Sequence, residues 1–127
     1  MTKPVTLDLL KQIGLAFCSR DVDRIMAFFA EDATFYMASG PEAVGRTVVG
    51  KAAIHKVFAD RFKVIPDMYW APEYDVVAGP DRGVSVWCVT GTATDGTKLD
   101  AQGCDLFEFR DGLIWKKDTY WKIVRPD

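Results

Sequence analysis

The chain has 127 residues, of which 49% are hydrophobic, 27% charged and 13% aromatic, and its formal net charge is −2. That length and composition fit a single globular domain over residues 1–127 with one sizeable core. With no basic stripe, the sequence argues against nucleic acid or an anionic membrane surface as the main partner.

The first residues, Met1-Thr2-Lys3-Pro4-Val5, are followed by no long apolar run, so neither a signal peptide nor a transmembrane segment is expected. Three cysteines, Cys18, Cys88 and Cys104, stand at no metal or redox spacing, and His55 is the only histidine. They are read as reduced thiols of a cytoplasmic protein, with no metal and no cofactor expected.

Thr6 is placed to cap a first helix with Leu9, Leu10, Ile13, Ala16 and Phe17 on one stripe. Asp21 caps a second, carrying Val22, Ile25, Met26, Phe28 and Phe29. Residues 33–37 read as a short strand, and a Gly-rich loop runs from Ser39 to Gly50. A third helix spans about 51–62, with Ile54, Val57, Phe58, Arg61 and Phe62 at helical spacing, and Pro66 closes that region. Strands are expected at 73–78, 83–94, 97–109 and 113–124. Helices followed by a meander predict an α+β fold, an antiparallel sheet with about three N-terminal helices laid on one face.

Two turns decide which residues share a face. Asp95-Gly96 reads as a two-residue hairpin loop, setting Cys88 opposite Gly103 and Val86 opposite Asp105. Cys88 and Cys104 then point to opposite faces. For the next hairpin, a two-residue Asp111-Gly112 loop would oppose Asp105 to Asp118. A three-residue Arg110-Asp111-Gly112 loop would oppose Asp105 to Lys117 and Phe107 to Trp115, which cross-strand pairing favours. The inner, largely apolar face then carries Cys88, Thr90, Asp105, Phe107, Trp115, Lys117, Thr119 and Trp121. The outer face carries Trp87 and Tyr120 among others, and suits solvent or a subunit interface.

Three runs carry a resemblance to a known family: Phe28-Phe29-Ala30-Glu31-Asp32-Ala33-Thr34-Phe35, Gly45-Arg46-Thr47-Val48-Val49-Gly50-Lys51-Ala52-Ala53-Ile54, and Gly103 to Ile114 running on to Tyr120-Trp121. Together they resemble nuclear transport factor 2-like proteins of the SnoaL-like kind, which include ketosteroid isomerases, polyketide cyclases, scytalone dehydratases, limonene epoxide hydrolases and non-catalytic binding modules. The resemblance implies a cone-shaped fold, with a strongly curved sheet wrapped on the helices and a pocket between them, and a homodimer formed through the outer sheet face. Against ketosteroid isomerase, the oxyanion-hole aspartate falls on Asp105 and a pocket tryptophan on Trp121. The base aspartate falls on Met37 and the oxyanion tyrosine on Ile13, which argues against that mechanism. The epoxide hydrolases' Asp-Arg-Asp set finds no arginine beside Asp105, although Lys117 could supply the charge.

A carboxylate on an apolar face is costly unless paired. Asp105 is therefore read either as a general acid or base with Lys117 as charge partner, or as half of a structural ion pair. Lys117 is a second catalytic candidate, and His55 a third, at the pocket rim. Met37, Phe58, Phe62, Trp70, Cys88, Thr90, Phe107, Trp115, Thr119 and Trp121 are candidates to wall an apolar binding site. The expectation is a cofactor-free enzyme moving a proton on a small apolar molecule, giving isomerisation, cyclisation, dehydration or hydrolysis. The alternatives are a small-molecule carrier and a protein-interaction module of the same fold.

Overall fold

The computed structural model describes residues 3–126. Met1, Thr2 and Asp127, at the ends of the expected domain, lie outside the described residues. The elements run α1 (Leu7–Ser19), α2 (Val22–Met26), β1 (Phe29–Tyr36), β2 (Thr47–Val49), α3 (Lys51–Val64), β3 (Tyr69–Val77), β4 (Arg82–Thr92), β5 (Lys98–Arg110) and β6 (Leu113–Trp121). The fold is α+β. Its six-stranded, curved and unclosed sheet has the order β2-β1-β6-β5-β4-β3.

Both expected caps are made. The Thr6 hydroxyl accepts from the Leu9 amide at 3.1 Å, and the Asp21 carboxylate accepts from the Arg24 amide at 3.1 Å. α1 turns Leu10, Ile13, Ala16 and Phe17 into the core. α2 stops at Met26, earlier than expected: Phe28 and Phe29 fit the helical stripe, but the Phe28 carbonyl accepts from the Ile114 amide and Phe29 opens β1. A short apolar run has no periodicity that separates a helix end from a buried strand start. β1 pairs parallel with β6, so the sheet is mixed where an antiparallel one was expected. β2 lies in the stretch expected to be loop.

The β4–β5 register differs from expectation by one residue. The Ala93 amide donates to the Thr97 carbonyl at 2.8 Å, and the loop between them is Thr94-Asp95-Gly96, with Gly96 at φ +90°. A three-residue loop closed by a left-handed glycine is the next commonest hairpin after the two-residue form. One slipped residue turns every β4 side chain over. Trp87 and Val89 therefore face the core, at 5% and 0% exposure. Cys88 and Thr90, expected to face inward, lie on the outer side. Cys88 donates to Glu73 at 3.1 Å and Thr90 pairs with Tyr69. Cys88 and Cys104 consequently share the outer face rather than opposing it, and both are free thiols.

At the β5–β6 hairpin the turn is the two-residue form, with Asp111 at φ 53° and Gly112 at φ 79°. The clash of Asp105 with Asp118 never arises, because a bulge follows: Phe109 pairs with Ile114, but Glu108 pairs with Lys116. Trp115 is the extra residue. Asp105 therefore opposes Thr119, Phe107 opposes Lys117, and Asp118 falls opposite Leu106. Trp115 leaves the inner face and is covered by Arg110 and Lys116, at 5.3 and 4.6 Å from its ring centroid.

Gly103 keeps the inner face clear for Trp87. A Cβ there would lie 2.7 Å from the Trp87 ring and would collide with the Tyr120 carbonyl. Because the second obstacle is backbone, Gly103→Ala should lower stability by about 1–3 kcal/mol, read from the shift of the urea midpoint.

Candidate functional site

Asp105 on β5 and Lys117 and Thr119 on β6 share the inner face, and all three are buried, with Asp105 at 6% and Lys117 at 5% exposure. The Lys117 ammonium donates to Asp105 Oδ1 at 2.8 Å and to Thr119 Oγ1 at 2.6 Å. The Thr119 hydroxyl donates to the same Oδ1 at 2.5 Å. Trp87 Nε1–H donates to Asp105 Oδ2 at 3.0 Å. The carboxylate thus receives three donors, two of them carried by β6 and one delivered by the slipped β4 register.

Three rings wrap the ammonium. Phe35, Phe17 and Phe58 have centroids 4.4, 5.4 and 5.8 Å from Lys117 Nζ. Their faces offer the cation a partial substitute for water. Burial pushes the Lys117 pKa down, and the Asp105 charge and hydrogen bond oppose that shift.

Between α3 and the concave sheet face lies a cavity of about 790 Å³. Lys117, Thr119 and Trp121 of β6, Trp70 of β3, Met37 just after β1 and Phe58 of α3 line it. Asp105 does not reach its wall; it stands behind Lys117 and Thr119. Two of the ammonium's three hydrogens are committed to Asp105 and Thr119, which leaves one for an oxygen in the cavity. The arrangement presents a held cation and a hydroxyl to whatever enters, and keeps the carboxylate as their counter-charge.

Of the other sequence candidates, Phe62 stands behind Trp70, edge-on at 6.0 Å, and Phe107 is core at 2% exposure against Phe109. Neither lines the cavity. Trp115, Cys88 and Thr90 are on the outer side, for the register reasons above. His55 is remote from Lys117: its Nε2 sits 3.1 Å from Asp23 Oδ1, in a surface hollow with Glu31 and Lys51. Ile13 is plain core at 2% exposure. Arg61 lines the cavity and is not among the sequence candidates. Its place on the apolar stripe of α3 was the available signal, since a cation at a core-facing position needs a reason.

The SnoaL-like domain matches residues 13–117 of the chain. Among solved structures, a Catenulispora acidiphila protein with a ketosteroid isomerase-like fold, crystallised with trimethylamine, is 18% identical. It superposes with a TM-score of 0.78 over 94% of this chain and 88% of its own. A polyketide-cyclase candidate from Xanthomonas campestris is 21% identical, with a TM-score of 0.79 over 91% and 88% of the two chains. TerC, co-crystallised with polyporic acid, is 22% identical, with a TM-score of 0.74 over 91% and 89%. These identities establish a shared fold. No curated protein matches the chain.

Removing one member of the buried pair should cost far more than removing both. Asp105→Ala strands the Lys117 charge and should lower stability by about 3–5 kcal/mol. The double change Asp105→Leu with Lys117→Met should recover most of that loss, measured by urea denaturation followed by circular dichroism.

Proposed function

The chain belongs to the SnoaL-like domain family, and from that premise we propose that it is a cofactor-free acid–base protein acting on a small, largely apolar molecule held between α3 and the sheet. The observation that carries this reading is the buried Lys117 ammonium on the cavity wall, fixed from behind by Asp105 and from the side by Thr119. Asp105 is a positioning residue, since its oxygens are occupied by Lys117, Thr119 and Trp87. Lys117 is the group that meets the ligand.

A ligand carbonyl or hydroxyl oxygen accepts the ammonium's remaining hydrogen. Negative charge developing on that oxygen is stabilised where water is scarce and Coulomb attraction is strong. The carbon beside the carbonyl loses its proton to a base from solvent at the cavity mouth, the C–H electron pair becomes the C=C bond of the enol whose oxygen takes the Lys117 hydrogen, and the reverse transfers return both protons. Phe58, Trp70 and Trp121 supply flat apolar walls that orient a ring.

The outer sheet face supports self-association as a second element of the proposal. Tyr74, Val76, Leu106 and Tyr120 are exposed there, at 59%, 44%, 40% and 55%. The register sets Val76-Val84-Leu106 and Tyr74-Val86-Cys104-Tyr120 in adjacent rows. A second copy of the chain is the partner of matching chemistry, and Leu106→Glu should shift sedimentation equilibrium toward monomer.

The acid–base reading is tested by incubating the protein with cyclic ketones and hydroxyquinones in D2O and following hydrogen exchange beside the carbonyl by proton NMR. The native chain should accelerate exchange, and Lys117→Met should remove the acceleration by at least about a hundredfold. The rate should fall as pH rises through the Lys117 pKa, below the 10.5 of an ordinary lysine, because the acid form is the protonated one. Ligand binding with no exchange on any substrate would leave a carrier and sink the enzyme.

A further inference from the structure

The polar lining of the cavity is one-sided. Arg46, Arg61, Lys98, Lys117 and Lys122 line it, and Asp60 is the only carboxylate among the described lining residues. Asp60 is already engaged, with Lys56 Nζ 2.7 Å from its Oδ2. The whole chain is slightly acidic, at −2, so this concentration of positive charge is local and does not follow from a basic protein.

Arg61 is the informative member. It is half-buried on α3, its guanidinium lies 5.8 Å from the Trp121 ring centroid, and it forms no ion pair among the described residues. Trp121 lines the same cavity, and its buried Nε1–H has no acceptor among the described residues. A buried donor left without a partner is destabilising, and a partly desolvated cation more so. Desolvation lowers the Arg61 pKa, and the Arg61 charge in turn works against protonation of Lys117. An anion in the cavity would offset the two penalties that involve the Arg61 charge; the Trp121 Nε1 atom itself is sealed from it.

We propose that the ligand of this cavity is an organic anion: an apolar, ring-sized body carrying a carboxylate or an acidic enol oxygen, which Arg61 receives beside the Trp121 ring while Lys117 faces its reacting oxygen. This assignment rests on the small-molecule reading of the cavity and narrows it from an apolar ligand to an acidic one. The exposed Arg46, Lys98 and Lys122 at the mouth draw such a ligand in.

Two fluorescent probes with the same aromatic body separate the possibilities: 8-anilinonaphthalene-1-sulfonate, which is anionic, and N-phenyl-1-naphthylamine, which is neutral. Titration should show the anionic probe binding about tenfold or more tightly than the neutral one. Arg61→Gln should abolish that preference while leaving the affinity for the neutral probe unchanged. Lys63→Gln, which removes a charge from the exposed side of α3, should leave the preference intact. Equal binding of both probes by the native chain, or equal weakening of both by Arg61→Gln, overturns the anion assignment and leaves the pocket reading standing. Binding of neither probe overturns the pocket reading and this assignment with it.

Discussion

An ammonium group removed from water has to be held by something that replaces its hydration shell, and most of the inner architecture can be understood as that replacement. Lys117 keeps 5% of its surface exposed and is met by a carboxylate, a hydroxyl and three aromatic faces. The carboxylate must in turn be satisfied, and Trp87 provides the donor that β6 cannot. A buried ion pair contributes little net stability over an apolar core of the same shape. Six elements nevertheless converge on this one: β1 brings Phe35, α1 Phe17, α3 Phe58, and strands β4, β5 and β6 bring Trp87, Asp105, and Lys117 with Thr119.

Two irregularities in the sheet make the convergence possible. The three-residue loop before β5 turns Trp87 inward, where its ring stands edge-on to Trp121 at 6.3 Å and its N–H reaches Asp105. The bulge at Trp115 moves Asp118 out of the position opposite Asp105, puts Thr119 there and brings Lys117 onto the inner face opposite Phe107. Diagonal placement lets the long lysine chain and the short threonine both reach the same carboxylate oxygen. It also lets the ammonium tip extend to the cavity wall, where direct opposition would draw it back over the strand. Bulges re-aim side chains in this way next to many functional sites.

The family's fold supplies a concave sheet with a helix across its open side, and the chemistry comes from what the wall carries. Here the wall carries cations over aromatic surfaces. Met37 lines the cavity as apolar surface. Asp105 stands behind the wall, where its oxygens receive Lys117, Thr119 and Trp87.

Local signals in the sequence determined the helices, their caps at Thr6 and Asp21, the succession of strands apart from β2, and the family. Each depends on side-chain periodicity or on a hydrogen bond spanning three or four residues. The sequence also singled out Asp105, Lys117, Thr119 and Trp121, since polar groups alternating with apolar ones in a core strand are visible without coordinates. Registers were decided elsewhere. Loop length before β5 and the bulge after Gly112 each follow from which side chains fit against the helices. Burying Trp87 and Val89 in place of Cys88 and Thr90, and Ile114 in place of Trp115, is a packing outcome of the whole core. The same holds for the order of the site from wall to interior, with Lys117 and Thr119 at the cavity and Asp105 behind them. Distance across a sheet and depth beneath a surface are set by contacts between residues far apart in the chain, and no window of the sequence contains them.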